Sequence, residues 1–322
     1  MSYRSLKIAG LTATIAAAAL VLTACGGQPA ASEGSADGAG LSGSVTADGS
    51  STVAPLTEAA ADFFRDVEPG VNVTVATSGT GGGFAKFCAD ETDISDASRP
   101  IKDEEAALCE EAGVKFTEIV IANDGLSVVV NPSNDFAQCL TVEQLNTIWA
   151  PEAEGTITNW NQVDPSFPDL PFALFGAGTD SGTFDYFTDE INGEEGAIRT
   201  DYSPSEDDNI IVQGISGDEG AMGFVGLSYV EENPDALKAI EVDGGSGCVA
   251  PSSETVRDGS YSPLGRPLFI YVNNASYAEK PQVTAFVDFF VESSVEVAEA
   301  ALVIGLTDEQ KVTAQDELAT LG

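Results

Sequence analysis

Apolar and polar positions along this chain repeat with two different periods. Residues 41–52, "LSGSVTADGSST", alternate like a short strand that ends in glycine and hydroxyl residues. Val53, Leu56, Ala60, Phe63 and Val67 then recur at three- and four-residue spacing, which predicts an amphipathic helix. Pro55 falls in its first turn, where proline is tolerated, and "EPG" closes it. "VNVTVAT" (71–77) alternates as a strand does, and the turn "SGTGGGF" (78–84) leads into a helical start carrying Phe84 and Phe87. "TDISDASRPI" (92–101) predicts a short strand and a turn.

Two apolar, β-branched runs stand apart from these units: residues 116–132 and residues 266–274. The first is too long for one ordinary strand. Between them, "LTVEQLNTIWA" predicts a helix opened by a Thr-x-x-Gln capping box, "ITNWNQV" a turn, "LPFALFGAG" a buried strand, and "GAMGFVGLSYV" a glycine-rich strand and turn. "SGTFDYFTDEI" predicts a helix with Phe184, Phe187 and Ile191 on one side. The C-terminal segment from Lys280 is mostly helical in pattern and could pack back on the first domain. Strands alternate with helices throughout, so the expected class is α/β. The two long runs are expected to be crossovers between two lobes, one of residues 44–124 plus 268–322 and one of 125–267, with a ligand cleft between them.

The first residues have a different character. Arg4 and Lys7 precede an apolar run from Ile8 to Leu22, too short and alanine-rich for a comfortable membrane span. The run ends in "LTAC", which resembles the lipobox of bacterial lipoproteins. That resemblance implies a signal peptide of residues 1–24, a lipid on Cys25, and anchorage on the extracytoplasmic face of a plasma membrane. Residues 25–43, rich in Gly, Ala and Ser, read as a flexible tether.

Charge narrows the list of partners. With 13 basic and 52 acidic residues the net charge is −39, and removal of residues 1–24 takes only Arg4 and Lys7, giving 11 − 52 = −41. Nucleic acid is excluded as an expected partner, because phosphate backbones require basic patches. Strong self-repulsion favours a soluble monomer. Beyond Cys25 four cysteines remain, and an even number in an exported chain implies disulfides. Three pairings are possible. Cys88–Cys109 is favoured because it closes a local loop, and it leaves Cys139–Cys248. Widely spaced cysteines, no CxxC and no histidine argue against a metal site, and no cofactor is expected.

Four short segments share one design: "DGSSTVAP" (48–55), "TSGTGGGF" (77–84), "SDASRPI" (95–101) and "TDSGTFDYF" (179–187). In each a strand ends and small hydroxyl residues follow, in three of the four with glycine, and in most a helix begins. Helix N-termini leave N–H groups unpaired and carry partial positive charge, which suits an oxyanion. Hydroxyls add neutral donors, and glycine lets the backbone approach closely. One such turn has little specificity, since caps and glycine turns are common; four in succession have much more.

These segments, together with "LTVEQLNTIW…ITNW", resemble in content and order the phosphate-binding protein of bacterial phosphate ABC transporters. The resemblance covers nearly all of the chain from Ser44 onward. It implies the type II periplasmic-binding-protein fold, inorganic phosphate as ligand, ABC permease subunits as partners, and no chemical step. It also implies ligand roles for the Ser51 hydroxyl, the Thr52 backbone N–H, the Thr80 hydroxyl, and Ser181, Gly182 and Thr183 from the second lobe. Ser50, Ser78 and Gly81 are weaker neighbours. Two positions depart from the family pattern. Ser98 stands where many members have an Asp that accepts the proton of hydrogen phosphate, and Ala177 stands where many have an Arg. Arg99 is the candidate replacement cation, and Asp180 or Asp96 the candidate proton acceptor. A receptor for another tetrahedral oxyanion (sulfate, molybdate or arsenate) is the alternative. A secreted phosphate-ester hydrolase using Ser181 is disfavoured, for no histidine exists to act as base. Trp149 and Trp160 are expected in packing roles, and the acid runs "KDEEAALCEE" and "SEDDN" as solvated faces.

Overall fold

The computed structural model describes residues 40–179 and 181–321. The signal peptide expected over residues 1–24, the lipid site Cys25, most of the tether and Asp180 lie outside the described residues. Among the described residues twelve strands form in the order β1 (Gly43–Gly49), β2 (Val71–Ala76), β3 (Ile94–Ala97), β4 (Phe116–Val130), β5 (Cys139–Thr141), β6 (Ala173–Ala177), β7 (Ser203–Ser205), β8 (Ala221–Gly226), β9 (Lys238–Ala239), β10 (Glu241–Asp243), β11 (Cys248–Val249) and β12 (Gly265–Asn273). The helices are α1 (Ala54–Val67), α2 (Gly79–Cys88), α3 (Asp103–Ala112), α4 (Val142–Trp149), α5 (Gly182–Asn192), α6 (Asp208–Gly217), α7 (Leu227–Glu232), α8 (Ser253–Arg257), α9 (Asn274–Glu279), α10 (Pro281–Glu292), α11 (Ser294–Ala300) and α12 (Asp308–Ala319).

One mixed sheet runs β2-β1-β3-β12-β4-β8-β6-β7, with β9 paired to β4, and a small sheet runs β11-β10-β5. The long strands link its halves. Residues 116–125 of β4 pair antiparallel with β12, and residues 126–130 pair with β8. Two separate cores flank this junction. One gathers Val45, Leu56, Phe64, Ile121, Ile270 and Phe286; the other gathers Val128, Trp149, Trp160, Phe187, Phe224 and Leu264. Helices α10 to α12 pack on the first core, as their late, apolar sequence anticipates. Both tryptophans are fully buried. No helix among the described residues is long and apolar enough to cross a membrane.

Local chemistry accounts for the element ends. Thr141 accepts from the Gln144 backbone N–H at 3.1 Å while the Gln144 side chain accepts from the Thr141 N–H at 3.0 Å, the reciprocal box expected at the start of α4. The phase of α1 differs from the expectation. Leu56, Ala60 and Phe64 are buried along an i, i+4, i+8 line, while Phe63 is 40% and Val67 58% exposed. A 3.6-residue period lets Phe63 and Phe64 compete for one edge of the stripe, and Phe64 wins by packing edge-on against Phe286 and at a tilt against Phe289. The glycines of "SGTGGGF" are helical rather than a turn, because α2 must approach β1 closely. A Cβ on Gly83 would meet Gly49 Cα at 2.5 Å. Part of the run "KDEEAALCEE" is helix α3, whose Cys109 is buried.

Both disulfides are present, Cys88–Cys109 and Cys139–Cys248. Cys139, Glu241 and Cys248 come within 4.8 Å of one another, but both sulfurs are spent in the disulfide. The bridges close loops of 21 and 109 residues in sequence separation. Chain entropy then assigns them about 3 and about 5 kcal/mol. Replacing Cys139 and Cys248 by Ala is expected to lower urea-unfolding stability by about 1–2 kcal/mol more than replacing Cys88 and Cys109.

Candidate functional site

Where the two halves meet, a cavity of about 90 Å³ is lined from the first half by Ser50, Ser51, Thr52, Gly79, Thr80 and Gly81 and by Ser98 and Arg99, while Arg266 reaches it from the strand pair that joins the halves. The second half contributes Gly182, Asp185, Tyr186, Asp189, Glu190 and Glu195. Three helices, α1, α2 and α5, begin at its wall. Their first N–H groups and the adjoining hydroxyls make a cradle of neutral donors suited to a small oxyanion.

The local sequence explains why these groups converge. The Ser50 N–H donates to the Asp96 carbonyl at 2.9 Å, and the Ser50 hydroxyl accepts from the Thr52 N–H at 3.2 Å, which shapes the start of α1. Asp48, buried at the end of β1, accepts from the Ser78 N–H at 3.0 Å and the Ser78 hydroxyl at 2.6 Å and pairs with Lys86, fixing the start of α2. The Thr80 and Ser98 hydroxyls lie 3.1 Å apart, and the Ser98 N–H donates to Thr80 Oγ1 at 3.2 Å. In the second half the Ser181 hydroxyl caps α5, accepting from the Thr183 N–H at 3.2 Å.

The halves touch directly. The Ser51 hydroxyl donates to Asp185 Oδ2 at 3.1 Å across the gap. A Cβ on Gly182 would meet Thr52 Oγ1 at 2.3 Å and the Thr52 backbone nitrogen at 2.7 Å, so this approach needs a bare glycine.

Most sequence-expected residues are therefore brought together: Ser50, Ser51, Thr52, Thr80, Gly81, Ser98, Arg99 and Gly182 line one cavity. Ser181 and Thr183 stand beside it at the α5 cap, and Ser78 faces Asp48 instead. Asp96 is fully buried behind the wall, where it accepts from the Thr57 hydroxyl at 2.9 and 3.0 Å. Arg99 lines the cavity with its guanidinium held by Glu105 through two bonds of 2.8 Å. That pair raises the Arg99 pKa further.

Arg266, Asp185 and Glu190 were not expected from sequence. Arg266 lies 214 positions from Thr52 yet donates to its hydroxyl at 3.1 Å. No local motif marks it. Asp185 is legible only as the third residue after "SG", on the turn of α5 that faces the gap. Burial, the largest influence, raises the Asp185 pKa against the pull of Ser51 and Arg266. Burial likewise raises Glu190 and Glu195, reinforced by neighbouring acids.

Comparison with known proteins is consistent with this geometry. Residues 33–294 match the model of the PBP superfamily domain. The chain is 49% identical over 266 residues to protein SphX of Synechocystis, covering 83% of this chain and 79% of that protein. It is 38% identical over 306 residues to the phosphate-binding protein PstS of Staphylococcus saprophyticus, covering 95% and 92%. A crystal structure described as a possible phosphate binding protein from Planctomyces limnophilus matches with a TM-score of 0.83 at 45% identity, over 87% of this chain and 99% of that one.

Two outcomes follow from the site's construction. Gly182→Ala is expected to hold the halves apart, read as a larger radius of gyration in small-angle X-ray scattering than the parent chain shows. Burial pushes Asp96 up to about 7, aided by Asp48 and Glu58 and opposed by Thr57. The unfolded carboxyl ionises near pH 4, so stability is fully present below that and falls as pH rises towards 7. Asp96→Asn removes this loss. Its stability relative to the parent should therefore improve between pH 4.5 and 7.5, by an amount on the order of 3 kcal/mol in urea unfolding.

Proposed function

The chain belongs to the PBP superfamily, and we propose that it is a PstS-like receptor that captures inorganic phosphate between two lobes and delivers it to an ABC permease. The observation that carries this is the cavity itself: hydroxyls and three helix starts facing inward, closed by a glycine contact between the halves. Neutral donors in number can hold a desolvated anion without matching countercharge. The proposed lobes are residues 44–124 plus 268–322 and residues 125–267, a division supported by the two separate cores.

The proposed ligand residues are Ser51, Thr52, Thr80 and Ser98 from the first lobe and Gly182 and Thr183 from the second; a bound anion would draw the Ser51 hydroxyl from Asp185 and the Thr52 N–H from Ser50. Ser181 acts by capping α5. The same capping role weakens the hydrolase reading, in which Ser181 would need a base, and the sequence contains no histidine. A signal peptide of residues 1–24 and a lipid on Cys25 complete the proposal, tethering the receptor outside the plasma membrane.

Selectivity requires a proton acceptor. Hydrogen phosphate carries a proton that sulfate lacks at neutral pH. An ionised carboxylate accepts that proton and repels an aprotic dianion. Asp96 is occupied with Thr57 behind the wall, whereas Asp185 faces the cavity beside Ser51. Asp185 is therefore the acceptor we assign in place of the Asp that Ser98 replaces.

Calorimetric titration with phosphate and then sulfate tests the reading. Tight phosphate binding with sulfate silent is expected. Asp185→Asn should weaken phosphate by roughly 10- to 100-fold, the worth of one hydrogen bond to a charged group, and should let sulfate bind. Saturable sulfate binding without phosphate binding in the parent chain would transfer the receptor to another oxyanion.

A further inference from the structure

Arg266 occupies the junction of the molecule. It sits on β12 directly opposite Asp124 of β4, in the strand pair that joins the halves. Its side chain reaches into the cavity and touches both sides. Nη2 donates to Thr52 Oγ1 at 3.1 Å and Nη1 to the Ser98 carbonyl at 3.2 Å, both in the first lobe. From the second lobe the Tyr186 ring lies flat beneath it, with its centroid 3.4 Å from Cζ. The Tyr186 hydroxyl in turn donates to the Pro263 carbonyl, which fixes the ring under the guanidinium.

The two cavity arginines differ in how their charge is spent. Arg99 holds Glu105 in a two-pronged pair, with both bonds at 2.8 Å, and Nη1 also donates to the Pro100 carbonyl at 3.1 Å. To meet an anion, that fork would have to release its carboxylate. Arg266 reaches only one oxygen of Asp124, through Nε and Nη2, each at 3.3 Å. These longer contacts to a single oxygen hold the guanidinium less tightly than Glu105 holds Arg99. A planar guanidinium stacked on an aromatic face also sheds water readily and presents its edge donors in a fixed plane.

We infer that Arg266, and not Arg99, is the cation that meets the bound anion, and that its stacking on Tyr186 makes the contact available only when the lobes are together. The inference rests on the phosphate reading above. It replaces the sequence expectation for Arg99, which instead braces α3 against the cavity wall through Glu105. Loading and closure then share one group: opening the lobes withdraws Tyr186, and the guanidinium becomes mobile and rehydrated.

The test is phosphate calorimetry on the full-length chain and on R266Q, R266K, R99Q and Y186L. Thermal unfolding without phosphate serves as a folding control. R266Q is expected to weaken phosphate binding at least 100-fold and R99Q by no more than about threefold. R266K retains charge without the planar fork and should lie between. Y186L should lose about tenfold, with a smaller phosphate-induced decrease in radius of gyration than the parent shows. If R266Q fails to fold, R266K carries the assignment through its loss relative to R99Q. A loss in R99Q equal to or greater than that of the Arg266 variants overturns the inference while leaving the phosphate reading intact. An unchanged phosphate-induced compaction in Y186L overturns the coupling to closure. Absence of phosphate binding in the parent overturns both readings together.

Discussion

Residues 116–125 of β4 lie hydrogen-bonded against β12, and the next five residues leave that partner for β8. A paired ribbon of this kind resists stretching and sliding, because each displacement breaks several backbone bonds at once. It bends and twists far more easily. Both halves are built outward from it, each with its own core, so relative motion is confined to rotation about the ribbon. The C-terminal segment reinforces the first half at this point. Asn123 exchanges two backbone bonds with Ile304, at 2.7 and 2.9 Å, and its side chain pairs with Gln310. The cavity sits where the ribbon emerges, the place where a small rotation brings α5 onto the start of α1.

That geometry also resolves how so acidic a chain can hold an anion. Net charge acts over distances longer than a screening length only weakly, whereas donors in contact act at full strength. The cavity's first-lobe wall is made of hydroxyls, helix starts and the Arg99 guanidinium, with Arg266 at the junction. Its second-lobe wall carries Asp185, Asp189, Glu190 and Glu195. An anion bound on the first wall would offset the approach of this acidic wall poorly unless a cation or a shared proton lay between. Arg266 and the carboxyl of Asp185 meet at that boundary. The acid excess elsewhere keeps like molecules apart and leaves local recognition intact.

Much of this was legible in the sequence, for identifiable reasons. The capping box at Thr141 and the helix after Ser181 are local patterns enforced by local hydrogen bonds, and the long strand from Phe116 is legible from its β-branched composition although its partners β12 and β8 are distant in sequence. The hydroxyl-rich segments were legible because each follows a strand end and most lead into a helix start. What escaped was set by packing between distant segments. Phe63 and Phe64 are equally apolar, and only the rings of Phe286 and Phe289 select between them. Asp96 looked like a ligand because it lies two residues from Ser98. It still belongs to β3, where Thr57 of α1 meets it, whereas Ser98 lies past the strand's end beside Thr80. Arg266 carries no motif at all. It reaches the site because β12 returns beside β4 after the whole second lobe has been built.

The contacts that close the cavity are few and mostly polar: one hydroxyl–carboxylate bond from Ser51 to Asp185, one glycine against Thr52, and one ring beneath Arg266. Neither core extends across the gap in a way that would bury large apolar area on closure. A closure that buried such area would be stable without ligand and slow to release it. Contacts of this kind instead leave open and closed forms within a few kcal/mol, so a ligand that bonds both walls can decide the population. The same thinness explains the demand for glycine at 182. With so little interface to compensate, an added methyl at 182 meets Thr52 Oγ1 at 2.3 Å and behind it the Thr52 backbone nitrogen at 2.7 Å, which no change of side-chain rotamer can clear.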